Sequence, residues 1–108
     1  MSKTRVPADY VIRPIEPKVA AYVCTPADVG KLITQAAAAS VTLPLANSVP
    51  NGSEIDIKAL IAGPTIVRSG TNIIWSNAAL VIHPASGSMS AGDSYTCRSN
   101  GVDTWFLT

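Results

Sequence analysis

Charged and aromatic side chains are scarce in this sequence of 108 residues. Charged residues make up 14% of the chain, against about a quarter in a typical soluble domain, and six residues are aromatic. Eight basic residues nearly balance seven acidic ones and form no cluster, which excludes the basic stripe of a nucleic-acid-binding domain. Nearly half of the residues are apolar, which is too many for a disordered chain.

Long apolar runs are also missing. No stretch is long enough to form a transmembrane helix, so we expect no membrane partner. The first residues, Met1 to Arg5, are not followed by the apolar segment of a secretory signal. The length suits one domain with a single modest core, and we expect the whole polypeptide to be that domain plus a short arm.

The side chains that most enzymes and metal sites use are few. His83 is the sole histidine, and the local sequence offers it neither a nucleophile nor a partner. Cys24 and Cys97 lack a metal-binding spacing and are expected to be reduced, buried thiols; a disulfide would require their Cα atoms to lie within about 7 Å. Trp75 and Trp105 are expected in the core, and the alternative is that they stack on sugars. We therefore predict no enzymatic activity, no cofactor and no metal site.

The first 18 residues differ in composition from the rest. Pro7, Pro14 and Pro17 fix backbone dihedrals and remove hydrogen-bond donors, which excludes a helix and an interior strand. Residues 1–18 are therefore predicted to form an extended arm, and residues 19–108 a β-domain. We expect the large apolar side chains of the arm to bind another chain; the alternative is that the arm folds back over its own domain. These side chains are Val6, Tyr10, Val11, Ile12 and Ile15.

Residues 19–108 alternate between short β-prone stretches and turn residues. Thr25–Gly30 has an N-cap threonine, a proline at the first helical position and a terminal glycine, and so predicts one helical turn. Glu54–Ile61 alternates charged and apolar residues, as a half-buried strand does. Asn100-Gly101 predicts a tight hairpin turn. About eight short strands at roughly ten-residue spacing predict an all-β fold, a small antiparallel β-sandwich or jelly-roll-like barrel.

The last predicted strand is Val102–Leu107. Alternation places Trp105 and Leu107 in the core and Phe106 on the outside. A large apolar side chain on the outside is costly unless a neighbour covers it. We therefore expect Phe106 either to contact a second subunit or to lie under the arm, and we predict a homo-oligomer.

Several motifs follow one another in a recurrent order along the chain. They are Tyr22–Leu32, Val41-Thr42-Leu43-Pro44, Val49–Lys58, Ala91-Gly92-Asp93-Ser94 and Ser99-Asn100-Gly101 followed by Trp105. In this order they resemble the small β-domains of tailed-bacteriophage virion proteins, found in head decoration proteins, head fibres and tail fibres. The resemblance covers about residues 22–107 and leaves the arm outside.

The resemblance implies a structural protein of the virion. For a chain of one domain plus an arm, it implies a capsid decoration or cement protein on the surface of the phage head, assembled in the host cytoplasm. The next function that it implies is the base of a head fibre. The arm would bind the major capsid protein or a neighbouring copy. The protein would be a homo-oligomer, and a trimer is favoured over a dimer. Removing residues 2–18 should then leave a soluble domain that no longer binds capsids.

The alternative is a carbohydrate- or receptor-binding module of a head or tail fibre. Such a module needs exposed aromatic side chains beside the loops at residues 86–93 and 99–103. Exposure of Trp105 and Tyr95 on one face would favour it, and burial of both would count against it.

Overall fold

The structure, a computed structural model, describes residues 13–76, 80–81 and 88–108. These residues form a small, β-rich domain with two sheets. The strands in the described residues are β1 (Ile15–Lys18), β2 (Tyr22–Val23), β3 (Leu32–Gln35), β4 (Ser40–Thr42), β5 (Glu54–Ala59), β6 (Thr65–Val67), β7 (Ile73–Ser76), β8 (Leu80–Val81), β9 (Ser94–Ser99) and β10 (Thr104–Leu107). In the same ranges, Pro26–Asp28 and Ala46–Ser48 form single 3₁₀ turns.

The chain alternates between the two sheets. Seven strands form the large sheet in the order β1-β3-β5-β9-β10-β7-β8, and three form the small sheet in the order β2-β4-β6. Each of β1, β3 and β5 is followed by a strand of the small sheet, so the path is a short coil of three turns. Each new strand of the coil lies parallel to the strand one turn earlier. The hairpin β9–β10 then extends the large sheet beyond β5.

The antiparallel pairing that the sequence predicts is wrong for most of these strands. Five of the eight strand pairs in the described part of the chain are parallel, and β5–β9, β9–β10 and β7–β8 are antiparallel. The cause is the route of the chain. After each of β1, β3 and β5 the chain crosses to the small sheet. It then returns to the large sheet at the end where the previous strand began, so the next strand runs in the same direction. The β-rich class is confirmed, whereas this connectivity differs from that of an antiparallel jelly roll.

One hydrophobic core joins the two sheets. Its buried side chains include Ile33, Ile55, Ile57 and Ile74 from the large sheet and Val41 and Ile66 from the small sheet. Trp105 is fully buried, and its indole N–H donates to the Pro44 carbonyl oxygen at 2.8 Å, which satisfies its polar group. The predicted inward positions of Trp105 and Leu107 and the outward position of Phe106 are confirmed.

Strand β5 shows the predicted alternation. Its apolar residues, among them Ile55 and Ile57, are fully buried, while Glu54 and Asp56 lie on the opposite face. The strand ends at Ala59, two residues before the predicted end, because the chain turns there and exposes the next two residues.

The predicted helical turn at Thr25–Gly30 is confirmed. Pro26–Asp28 forms the turn, and the Thr25 N–H donates to the Asp28 carboxylate at 2.9 Å. Gly30 has a φ of +87°, the left-handed conformation that ends such a turn. The turn carries the chain from β2 to β3.

Strands β9 and β10 form the predicted hairpin, but the turn is longer than two residues. Residues 100–103 connect the strands, and Ser99 lies opposite Trp105. The Asn100 side-chain oxygen accepts hydrogen bonds from three successive backbone N–H groups, those of residues 102, 103 and 104, at 2.9–3.1 Å. These bonds stabilise the wider turn, because the side chain replaces the backbone acceptor of a tight one.

The edge strand β1 consists of residues that the sequence assigned to the arm. The carbonyl oxygens of Pro14 and Lys18 accept hydrogen bonds from the N–H groups of Leu32 and Ala36, so alternate residues of β1 face the free edge. Pro17 is one of these, and its missing N–H lies where no strand partner requires it. The prolines exclude an interior strand, as predicted, but they permit this edge strand.

Replacing Gly101 by alanine should destabilise the domain more than replacing Gly92 by alanine. Both residues have a positive φ (+75° and +88°), so both variants incur the left-handed cost of about 1–2 kcal/mol. A Cβ at Gly101 would lie 2.8 Å from the backbone nitrogen of Asn51, whereas a Cβ at Gly92 would meet nothing within 4 Å. Urea unfolding should place Gly101→Ala at least about 1 kcal/mol below Gly92→Ala. Equal losses would contradict the close packing of this turn on Asn51.

Replacing Trp105 by alanine should lower the free energy of unfolding by about 3–5 kcal/mol, because it removes a fully buried side chain. Phe106→Ala should leave the unfolding free energy nearly unchanged and should instead weaken assembly, because that side chain is exposed. Urea unfolding and sedimentation of the two variants measure both effects. Swapped effects would mean that the faces of β10 are assigned the wrong way round.

Candidate functional site

The face of the large sheet that points away from the core carries an exposed aromatic pair. Trp75 on β7 lies beside Phe106 on β10 in the parallel register of these strands. The two side chains are 40% and 45% exposed, and Ile73, two positions before Trp75 and on the same face, is also exposed. Adjacent strands are about 4.8 Å apart, so these side chains stand next to one another. We call Ile73, Trp75 and Phe106 the aromatic patch.

A charged cluster adjoins the aromatic patch. Along one row of the sheet, Glu54 lies opposite Arg98, and Arg98 lies opposite Phe106. The Arg98 Nε–H donates to Glu54 Oε2 at 2.8 Å, and its Nη2 contacts the same oxygen. The Arg13 guanidinium lies 3.3 Å from Glu54 Oε1 and 3.4 Å from Asp56 Oδ2. Two arginines and two carboxylates are thus paired where the arm joins the domain.

The ion pairs keep Glu54 charged. The hydrogen bond from Arg98, assisted by that from Arg13, holds the pKa of Glu54 below its usual range against the opposing effect of burial. A carboxylate with this pKa is ionised at neutral pH and is suited to anchoring cations rather than to donating a proton. The cluster therefore positions Arg13 and orders this part of the outer face.

A second polar cluster closes the end of the coil at β1 and β2. Asp28 is buried and accepts hydrogen bonds from the Thr25 N–H at 2.9 Å, the Tyr22 hydroxyl at 2.7 Å and the Lys31 ammonium at 3.3 Å. The Lys18 ammonium lies 3.9 Å from the centre of the Tyr22 ring. These hydrogen bonds satisfy the buried Asp28 carboxylate, so the cluster has a structural role at this end of the core.

The pKa values in this second polar cluster follow from these contacts. Burial raises the pKa of Asp28, but the three hydrogen bonds outweigh it and leave that pKa below its usual value. The hydrogen bond to Asp28 is the main cause that raises the pKa of Tyr22 to about 12. Asp28 is therefore ionised and Tyr22 neutral at physiological pH.

One of the predicted arm contacts is described by the structure. Ile15 is 62% exposed on the edge strand β1. The remaining predicted arm contacts lie outside the described residues: Val6, Tyr10, Val11 and Ile12.

Trp75 corrects an expectation from the sequence, which placed it in the core. On β7 the inward position belongs to Ile74, which is buried, and alternation turns Ile73 and Trp75 outward. The signal was present in the sequence, because three consecutive large apolar residues on a strand cannot all face one side.

The thiols of the domain are inert. Cys24 and Cys97 are buried and unbridged, as expected from the sequence. Burial raises the pKa of Cys24 to about 12 and that of Cys97 well above its usual value, so both remain protonated at neutral pH. His83 lies outside the described residues.

The described ranges contain no group of three or more His, Cys, Asp or Glu side chains placed to hold a metal ion. Within the same ranges, no helix has the length and apolar character needed to cross a membrane.

No family model matches the chain, and searches of curated proteins and of solved structures found no match. Functional conclusions for this chain therefore depend on its own geometry and motifs.

Replacing Asp28 by asparagine should weaken the acid dependence of stability. The pKa of Asp28 is lower in the folded than in the unfolded chain, where it is about 3.9. Ionised Asp28 therefore stabilises the fold above that value, and its contribution is lost as the pH falls through the folded pKa. We expect the variant to lose roughly 1–3 kcal/mol at about pH 7.

Urea unfolding at several pH values between about 7 and 3 measures this effect. The Asp28→Asn variant should lose less further stability on acidification than the unmodified protein, while Asp93→Asn, at an exposed turn, serves as the control. An acid profile for Asp28→Asn parallel to that of the unmodified protein would contradict the role assigned to this carboxylate.

Proposed function

We propose that this chain is a non-enzymatic structural protein of a phage virion, a capsid decoration or cement protein that binds the assembled head through its N-terminal arm. One observation carries the proposal: Arg13 of the arm is bound on the same face of the large sheet as the aromatic patch. Glu54, which binds Arg13, lies opposite Arg98, and Arg98 lies opposite Phe106. The domain thus presents a contact face on the side where the arm is attached. The order of motifs along the chain, which resembles that of virion β-domains, supports the same function.

The aromatic patch is suited to contact with protein. Adjacent exposed Trp and Phe side chains are costly in water, and aromatic and arginine side chains are enriched at protein interfaces. We assign Phe106 to the contact between copies around local symmetry axes of the shell. A trimer is favoured over a dimer. The architecture that suits this role is a sandwich in which the small sheet covers the inner face of the large one.

The arm is suited to an extended site on the major capsid protein. Its prolines favour an extended backbone, which lowers the entropy lost on binding. Val6, Tyr10, Val11 and Ile12 supply apolar anchors, and Ile15 continues them at the edge of the sheet. A segment that orders on its partner gains backbone hydrogen bonds and buries these side chains over a long span.

A second function is favoured by the exposure of Trp75 beside Phe106, since an aromatic pair flanked by Glu54 and Arg98 could stack on a sugar and bind its hydroxyl groups. The chain would then be a carbohydrate- or receptor-binding module of a head or tail fibre. The position that the sequence suggested for such a site is disfavoured, because Trp105 is buried and Tyr95 packs against the core. Glycan binding that disappears in Trp75→Ala would favour this function over decoration.

Deleting residues 2–12 should weaken capsid binding and leave the domain folded. The deletion ends before Arg13 because that residue is paired with two carboxylates and because β1 is part of the sheet; removing residues 2–18 would strip an edge strand. We expect a melting temperature within a few degrees of the full chain and binding to undecorated heads weaker by at least about tenfold.

The matched control replaces Lys3, Arg5 and Asp9 by serine, which alters the charge of the arm and keeps its apolar anchors. This variant should bind with nearly the affinity of the full chain. Full occupancy of heads by the truncated protein, measured by densitometry of purified particles, would show that the arm is not needed for binding to the capsid.

A further inference from the structure

The chain contains two Asn-Gly sequences, and the fold brings them together. Asn51-Gly52 lies just before β5, and Asn100-Gly101 lies in the turn between β9 and β10. A Cβ at Gly101 would lie 2.8 Å from the backbone nitrogen of Asn51, so the two turns are packed against each other. The Gly52 N–H donates to the Ser99 carbonyl oxygen at 2.8 Å, which also links them through the backbone. The same dipeptide therefore occupies two adjoining sites in one molecule.

An Asn-Gly sequence can modify itself, because glycine has no side chain to shield its backbone nitrogen. The glycine nitrogen attacks Cγ of the preceding asparagine, the bond from Cγ to Nδ2 breaks, and ammonia leaves with the proton of the glycine nitrogen. Water then opens the resulting cyclic imide, adding its hydroxyl group to one of the two carbonyl carbons and its other proton to the ring nitrogen. The products are aspartate and isoaspartate, and no oxidant or reductant is needed.

The carboxamide of Asn100 is held by the hairpin turn. Its Oδ1 accepts hydrogen bonds from the backbone N–H groups of residues 102, 103 and 104, and its Nδ2 donates to Asp103 Oδ1 at 3.3 Å. The Gly101 N–H, whose nitrogen would make the attack, donates to the Ser99 hydroxyl oxygen at 2.9 Å. Ring closure reorients the carboxamide, so these hydrogen bonds must break and the turn must open before Asn100 reacts.

The carboxamide of Asn51 is not held in this way. Asn51 and Gly52 are exposed, and among the described residues the Asn51 side chain has no hydrogen-bond partner. The backbone nitrogens of Gly52 and Gly101 each donate one hydrogen bond, so the two attacking groups are restrained alike. The difference between the sites therefore lies in the carboxamides, which are free to turn at one site and fixed at the other.

We propose that Asn51-Gly52 is a site of spontaneous deamidation, and that the fold protects the same dipeptide at Asn100-Gly101. The reaction places a carboxylate beside Gly101, where the neutral amide was. In the isoaspartate product the main chain also runs through the former side chain and gains one carbon between the two turns' points of contact. The hydrogen bond from Gly52 to Ser99 depends on the original path, so this product loosens the packing of the turn on the hairpin. The inference does not depend on the proposed function.

Peptide mapping of the folded protein, incubated at neutral pH and physiological temperature, tests this proposal. The peptide that contains Asn51 should gain the mass difference between an amide and a carboxylate, and fragmentation should locate the change at that residue. We expect conversion at Asn51 to be at least about tenfold faster than at Asn100. The three hydrogen bonds to Asn100 Oδ1 together exceed the about 1.4 kcal/mol that a tenfold change in rate represents.

Two controls separate the chemistry from the fold. In urea the two sites should react at similar rates, because the unfolded chain no longer holds the Asn100 carboxamide. The Asn51→Gln variant should stay unmodified at that position, since its longer side chain closes a five-membered ring no longer. Equal rates at the two sites in the folded protein, or faster conversion at Asn100, would overturn the proposal. So would an Asn51 that reacts in urea and remains unchanged in the folded protein.

Discussion

Strand β5 is the element on which the rest of the domain depends. It is parallel to β3 on one side and antiparallel to β9 on the other, so it joins the coil of the first six strands to the terminal hairpin. Its inner side chains Ile55 and Ile57 are fully buried, and its outer carboxylates bind Arg13 and Arg98. A register shift of one residue would exchange the two faces, so the core and the candidate surface share one alternation.

Features that are decided within a few residues could be predicted from the sequence. The turn at Thr25–Gly30 follows from capping and from the conformational freedom of glycine, which are local properties. The alternation of β5 and the opposite orientations of Trp105 and Phe106 follow from strand geometry alone, since successive side chains point to opposite faces whatever the strand pairs with.

Strand direction and the composition of the candidate surface could not be predicted in this way. A short apolar stretch between turns has the same pattern in parallel and antiparallel sheets, and the direction depends on whether the chain visits the small sheet before it returns. The aromatic patch exists because β7 pairs with β10, and Arg13 is anchored by carboxylates of a strand far along the chain. Such features depend on tertiary pairing, which local propensity does not specify.

The coiled path also governs the order in which the molecule can fold. Partners in the coil, such as Ile15 and Leu32, are separated by a full circuit of the chain, and β5 must await β9, which is synthesised much later. The hairpin β9–β10 needs only a short loop to close and can form early, whereas the parallel pairs require long loops to close first, which slows folding. On the ribosome the N-terminal strands therefore emerge before the strand that completes their sheet. The nascent chain must keep their open edges from pairing with other chains until β9 and β10 have been made.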